Sequence, residues 1–274
     1  GGYNINGEIE FEVDTTKLKF FQCDFKLDSG HLTVPDTNLV LLKGGYVDFK
    51  KFELLDNLDG RRHYISGHLN GKEEEDMAVL SLSKFNLKYL SYFAGVDLGG
   101  AFTGDIKVND FYGSTNVETS FEIEDFLLYE GNLGNYKGDI SWSAATNKIK
   151  TDVGMFLDSL KLADIGGYVL TSDDEKSPLN LKFDLNNIPL KLIEPYMYGQ
   201  VSAMEGNITG TIEVQGGLDA PDFYGEPNVV NGGFTIEYLK THYVFNERIL
   251  FKNDSIIFSD VNLADTLFYT NAKL

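Results

Sequence analysis

Four histidines, one cysteine and 42 carboxylates are the side chains of this chain that could bind a metal or move a proton. His63 and His68 lie five apart in strand-like sequence, where an odd spacing sends the two rings to opposite faces and rules out a shared cation. His31 and His242 stand alone. Cys23 is the one cysteine, so neither a disulfide framework nor a thiolate metal cluster can form. Asp59-Gly-Arg-Arg62 is basic but isolated, and no nucleophile elbow, phosphate loop or dinucleotide fingerprint occurs. Gly206 and Gly210 have the spacing of a membrane-helix pair but sit in strand-like sequence. Counting carboxylates leaves a glycosidase pair open. They alternate with apolar residues, however, as on the solvent face of a sheet. The expectation is a protein that is not an enzyme and holds no metal and no cofactor.

The elements that would carry these residues read as strands. Ile5, Gly7, Ile9, Phe11 and Val13 alternate with Asn6, Glu8, Glu10 and Glu12, a period of two. Lys17–Phe20 and Cys23–Leu27 continue it; Leu39–Leu42 is a short continuous apolar run that Gly44-Gly45 turns into Tyr46–Phe49, followed by His63–Ile65 and Gly67–Leu69. Thr119–Ile123, Gly138–Trp142 and Lys148–Val153 are further strands, and Phe234–Tyr238, Thr241–Phe245, Arg248–Phe251 and Ser255–Ser259 fill the last third. Gly71–Asp76 and Thr171–Ser177 read as solvated acidic loops. Two segments break the pattern: Phe85, Leu87, Leu90 and Phe93 have helical spacing, as do Leu190, Ile193, Tyr196 and Met197 after Pro189. A third helical turn is expected around Met155 to Leu162.

The chain also repeats itself. Asp110-Phe-Tyr-Gly-Ser-Thr-Asn-Val117 returns as Asp222-Phe-Tyr-Gly-Glu-Pro-Asn-Val229, preceded by Gly104–Val108 and Gly210–Val214 and followed by Phe121–Ile123 and Phe234–Ile236. Leu82–Leu90 parallels Leu185–Ile193, which puts the helical turns at equivalent places, capping or plugging the sheet once per repeat. Approximate units are 80–160 and 183–265. No linker tract divides them, so 1–274 is expected to be one continuous repetitive β domain.

Composition agrees. The 20 Phe, 15 Tyr and 28 Gly against six Pro suit strands and tight turns. A net charge of −19 excludes nucleic acid, whose phosphates need Lys and Arg, and disfavours an anionic membrane surface. Negative charge keeps an otherwise apolar β protein soluble. No apolar run approaches 18 residues, and the Gly1-Gly2-Tyr3 start without Met leads to the expectation of an excised fragment whose anchor lies elsewhere.

Alternation leaves one apolar face. Phe102, Ile106, Val108, Phe121, Ile123, Phe126 and Leu128 line it in the first unit. Ile208, Ile212, Val214, Phe234, Ile236, Tyr238, Tyr243, Phe245, Ile249, Phe251, Ile256 and Phe258 line it in the second. Such a face fits the dry core of a sandwich or barrel, which periodicity taken alone favours, or an open trough for an apolar ligand.

Gly206-Asn-Ile-Thr-Gly210-Thr-Ile-Glu-Val214, followed by Gly216-Gly-Leu-Asp-Ala-Pro221-Asp-Phe-Tyr-Gly225, resembles a recurring pattern of the TamB family of bacterial envelope proteins. Val229, Asn231, Gly232, Phe234, Tyr243–Phe245, Ile249, Ile256–Phe258 and Leu263–Asp265 continue it. The match covers about 185 to 265 and, more loosely, 80 to 150; residues 1 to 75 match little. The resemblance implies an all-β, solenoid-like half-pipe or β-taco: an elongated, curled antiparallel sheet with an apolar concave face. It implies a periplasmic segment of an inner-membrane-anchored protein of a diderm bacterium that moves phospholipid between the two membranes and works with an outer-membrane barrel partner. Strands stacked about 4.8 Å apart would make roughly 70 to 95 Å of trough from some 15 to 20 strands. The alternative from the same sheet is a scaffold or chaperone that pairs its edge with strands of outer-membrane proteins. A glycan-binding β protein is weaker, since Trp142 is the one Trp available for a platform.

Overall fold

In a computed structural model, residues 2–21, 23–27, 30–57, 60–70, 77–172, 178–253, 255–258, 262–265 and 271–273 are described. Gly71–Asp76 and most of the second acidic loop lie outside them, as do the side chains of Ile256 and Phe258. The described strands form one antiparallel sheet that is not closed into a barrel. No described helix is long and apolar enough to cross a membrane. The chain divides into two compact units, 1–126 with 137–148, and 127–136 with 149–274.

The first unit is an up-and-down meander whose early strands are each broken once. β1 (Gly2–Asn4) and β2 (Gly7–Phe11) are followed by β3 (Thr16–Phe20), β4 (Cys23–Leu27), β5 (Gly30–Val34) and β6 (Leu39–Lys43). β1 pairs with β4 and β2 with β3; β5 and β6 then lie against successive parts of the unbroken β7 (Tyr46–Asp56). β8 (Arg62–Asn70), β9 (Met77–Asn86), β10 (Leu98–Asn109) and β11 (Asn116–Leu128) extend the order. Alternation produces this layout directly, because every inward position keeps its face only if the register holds. Where β5 and β6 are interrupted at Pro35–Asn38, the buried Asn38 amide stands in for the ladder. Its Oδ1 accepts from the Phe20 N–H at 2.9 Å and its Nδ2 donates to the Phe20 carbonyl at 2.8 Å. Cys23 is buried beside this break with its thiol directed at the Asn6 carbonyl, 3.1 Å away, a packing role rather than a reactive one.

The later strands are β12 (Gly131–Asn132), β13 (Asn135–Ser143), β14 (Lys148–Leu157), β15 (Leu160–Leu170), β16 (Leu179–Pro189), β17 (Val201–Gly216), β18 (Pro221–Gly225), β19 (Asn228–Ile236), β20 (Thr241–Phe245), β21 (Ile249–Asn253), β22 (Ser255–Phe258), β23 (Asn262–Asp265) and β24 (Asn271–Lys273). Within the second unit β15 pairs with β16, and β16 with β17. β17 then pairs with the broken strand formed by β18 and β19, which in turn pairs with β21 and β20.

Both expected helical segments are present as short elements between equivalent strands. A 3-10 turn at Leu87–Leu90 leads into α1 (Ser91–Ala94) between β9 and β10, and a 3-10 helix at Leu190–Met197 joins β16 to β17. Phe85, placed on the first helix by spacing, belongs to β9. The helical turn expected at Met155–Leu162 is instead the β14–β15 hairpin, with both residues buried in one cluster across it. The repeated octapeptide does not occupy equivalent structure: Asp110–Gly113 forms the turn after β10, whereas Asp222–Gly225 lies within β18. Asn109 runs straight into Asp110, whereas six residues, 216–221, separate the equivalent Gln215 from Asp222; the bend falls within them at 217–220 and the second copy becomes strand.

Candidate apolar-ligand face

The apolar face of the first unit is built from cross-strand rows. Ile65 opposes Leu80, which opposes Ile106, and Gly67, Ala78 and Val108 form the next row. Aromatic contacts run beside them: Phe102 stacks on Phe121 at 5.6 Å, and Phe85 meets both His63 (5.3 Å) and Tyr89 (5.4 Å) edge to face. The outward positions Asp105, Lys107, Glu118, Ser120 and Glu122 are exposed, as the period of two requires.

The 3-10 turn plugs one end of this face. Leu87 and Tyr89 are buried, the Tyr89 hydroxyl donates to Asp56 Oδ2 at 2.8 Å, and its ring lies on Gly30, where a Cβ would come within 1.8 Å of Tyr89 Cε1. Beyond the plug, Ile65, Leu80, Ile106 and Val108 are half-buried.

The second unit repeats the arrangement. Phe183 opposes Ile165 and Ile212, and Leu181 opposes Gly167 and Val214, all but the glycine half-buried. At the plugged end Leu190 packs with Val229 and Phe245, with Met204, Ile208, Phe234 and Ile249 around them. Leu192 joins a neighbouring cluster of Met155, Leu162 and Ala163 with Tyr136 and Ile188. Tyr196 lies on Gly131, a Cβ there falling 2.4 Å from its hydroxyl, which donates to the Leu128 carbonyl at 3.1 Å. Burial pushes the Tyr136 phenol up to about 12, reinforced by Tyr196, and burial also raises Tyr196.

The residues expected on this face differ in burial. Phe102, Ile106, Val108, Phe121 and Ile123 are half-buried or buried in the first unit; Ile208, Ile212, Val214, Phe234, Ile236, Tyr243, Phe245, Ile249 and Phe251 are so in the second. Phe234 touches Tyr243 and Phe245 at 6.0 and 5.8 Å. Tyr238 is the exception, being 94% exposed. β19 ends at Ile236, and Glu237–Lys240 turn the chain, with the Leu239 N–H on the Ile236 carbonyl and Lys240 paired to Glu237. Spacing had not singled out Phe183, Leu181, Ile65 or Leu80, although each sits in an alternating stretch that carries the same signal.

The titratable candidates stay apart. His63 is buried on the apolar face, its Nδ1 accepting from the Ser83 N–H at 3.3 Å, while His68 stacks on Tyr46 opposite Asp48 on the other face. His31 sits against Asp24 at 3.0 Å and His242 against Glu205 at 3.0 Å. Among the described residues no three His, Cys, Asp or Glu side chains converge as a metal site would need. In this setting the chemistry on offer is apolar contact. No family model, no curated protein and no solved structure matches the chain.

Proposed function

We propose that this chain shields phospholipid acyl chains on the apolar face of its sheet, as a periplasmic segment of a lipid conduit between inner and outer membranes. The observation that carries the proposal is the incomplete cover of that face. In each unit a short 3-10 element follows one end of the strands, while rows such as Phe183–Ile212 and Leu80–Ile106 remain only half-buried in a single hydrogen-bonded sheet. A methylene moved from water to such a surface gains about 0.8 kcal/mol, so an acyl chain is held along a row without any catalytic group. Neighbouring rows of Val, Leu, Ile and Phe offer near-equal sites, which allows a chain to slide. The resemblance to TamB-like proteins points the same way.

The test is to purify the protein from bacteria without detergent, extract it with organic solvent and look for phospholipid by mass spectrometry. Phospholipid is expected with the wild-type chain and with Gln215→Asp on the outer face of β17. It is expected to be lost from Ile212→Asp three residues away. Unfolding midpoints of both variants separate loss of ligand from loss of fold. A folded, lipid-free wild-type protein would sink the proposal.

A further inference from the structure

In the second unit two neighbouring strands break side by side. One stops at Gly225 and resumes at Asn228; its partner stops at Phe245 and resumes at Ile249. Pro227 has no N–H to give to a ladder, which accounts for the first break. The breaks are tied together, since the Val229 N–H donates to the Glu247 carbonyl at 2.9 Å and the Ile249 N–H to the Pro227 carbonyl at 3.0 Å. Asn228 and Arg248 stand directly opposite one another at this point. Val229, Phe245 and Ile249 turn toward the apolar cluster at the plugged end, so Asn228, Asn246, Arg248 and Leu250 belong to the other face. There the breaks open a cleft of about 430 Å³, lined by Glu226, Asn228, Asn246, Glu247, Arg248 and Leu250.

The side chains of this cleft are hardly engaged with one another. Arg62 is paired with Glu53 and Arg61 donates to the Lys84 carbonyl, yet the Arg248 guanidinium makes no hydrogen bond or ion pair among the described residues. Two glutamates line the same cleft, and their carboxylates and the Asn228 amide are equally uncommitted there. Asn246 uses its Oδ1 to accept from the Asn231 N–H, which leaves its NH2 group as a donor. One guanidinium beside two carboxylates repels a lone anion, and a lone cation meets the guanidinium. A ligand that carries both signs suits both. No aromatic ring lines the cleft to cage a quaternary ammonium, whereas two carboxylates accept the hydrogen bonds of a primary one. Guanidinium takes phosphate through paired N–H donors, and a phosphate has oxygens left for the two asparagine amides beside it.

We propose that this cleft binds a phosphorylated amino alcohol, of which phosphoethanolamine is the simplest. Its phosphate sits on Arg248 with the amides of Asn228 and Asn246, its ammonium reaches Glu226 and Glu247, and its methylenes lie on Leu250. The same chemistry exists free in solution and as the head group of a phospholipid. The cleft is on the face opposite the acyl-chain rows, so either idea can fail alone.

The experiment is calorimetric titration of the whole chain with phosphoethanolamine, set against inorganic phosphate, ethanolamine and phosphocholine. Phosphoethanolamine is expected to bind at least about tenfold more tightly than any of the three. Arg248→Gln and Glu247→Gln are each expected to weaken it by about tenfold or more, whereas Lys252→Gln, which removes an exposed charge outside the cleft, binds as the wild type does. Equal binding of inorganic phosphate, or a loss in Lys252→Gln as large as in Arg248→Gln, would show attraction to charge alone and overturn the assignment. Absence of phosphoethanolamine binding to the wild-type chain overturns it without any variant, so a poorly folded variant does not leave the question open. Vesicles separate the two sources. Sedimentation with vesicles of equal parts phosphatidylethanolamine and phosphatidylcholine, but not of phosphatidylcholine alone, and its loss in Arg248→Gln identify a lipid head group. Binding of the soluble probe without sedimentation identifies a free amino-alcohol phosphate.

Discussion

The backbone N–H of Asn187 donates to Thr209 Oγ1 at 3.0 Å, and the N–H of Lys84 donates to Thr103 Oγ1 at the same distance. Both donors are left-handed, with φ of 60° and 49°, and both lie where a strand slips register against its neighbour. Both threonines precede a glycine pressed against the next strand: Gly104 against Ser120 and Phe121, Gly210 against Pro227. Three residues after each donor the 3-10 element begins. Bulge, threonine and glycine together turn a strand into a plug, once in each unit.

Thr209→Val keeps the shape and removes the acceptor. At this exposed position water replaces part of the bond, so a loss of about 1 kcal/mol or less is expected from urea unfolding. Asn187→Val should cost more, about 1 to 2 kcal/mol, because a β-branched residue resists the left-handed region. Asn187→Gly should be close to neutral. Equal effects of all three would show that the bulge does not need this geometry.

Tyr89 over Gly30 and Tyr196 over Gly131 are a second shared device. Each glycine lies at the start of a strand returning from a hairpin, opposite Leu27 or Leu128, and leaves room for a tyrosine from the plug. Gly30→Ala is expected to destabilise by about 1 to 3 kcal/mol through overpacking. Tyr89→Ala should erase that penalty, so the double variant is no less stable than Tyr89→Ala alone. A double-mutant cycle measures this coupling, and additive losses would count against the contact.

Strand content was legible because a single sheet with one wetted face writes a period of two into almost every segment. Turn positions were less so. Asp-Phe-Tyr-Gly is turn after β10 and strand in β18, since four residues suit either and the six extra residues before Asp222 take up the reversal instead. The same gap misplaced Tyr238: alternation continues in sequence past Ile236, but the Glu237–Lys240 turn has already closed. Met155 and Leu162, seven apart, fit two helical turns or a hairpin equally well, and β14 and β15 chose the hairpin. The glycines beneath Tyr89 and Tyr196 left no sequence signal, because the contacts join residues 59 and 65 positions apart.

Alkaline titration should report the second plug. Burial holds the Tyr136 phenol protonated up to about 12, against an ordinary value near 10 in the unfolded chain. Between these values the unfolded chain has released a proton that the folded one retains. Stability from this group is therefore fully present below about pH 10 and falls as pH rises toward 12. Phenolate absorbance should show a late-ionising component that disappears in Tyr136→Phe, whose stability should also fall less steeply above pH 10. A single tyrosine transition near 10 would show that Tyr136 is open to water.

Phe245 and Tyr238, expected on one face, lie in opposite settings, one in the plugged core and the other in solvent. Phe245 is buried against Leu190 and Val229 beneath the 3-10 helix, with Phe234 edge-on at 5.8 Å. Truncation to Ala removes a ring from a closed cluster and should cost about 3 to 5 kcal/mol. Tyr238→Ala, at an exposed turn, should change stability by no more than about 0.5 kcal/mol. The lipid assay divides them differently. A milder core change, Phe245→Leu, should leave bound phospholipid unchanged because the helix already covers that site, whereas Ile212→Asp on the uncovered row should abolish it. Loss of lipid in Phe245→Leu with unfolding unchanged would mean that acyl chains reach beneath the helix, and the plug would then be a gate rather than a seal.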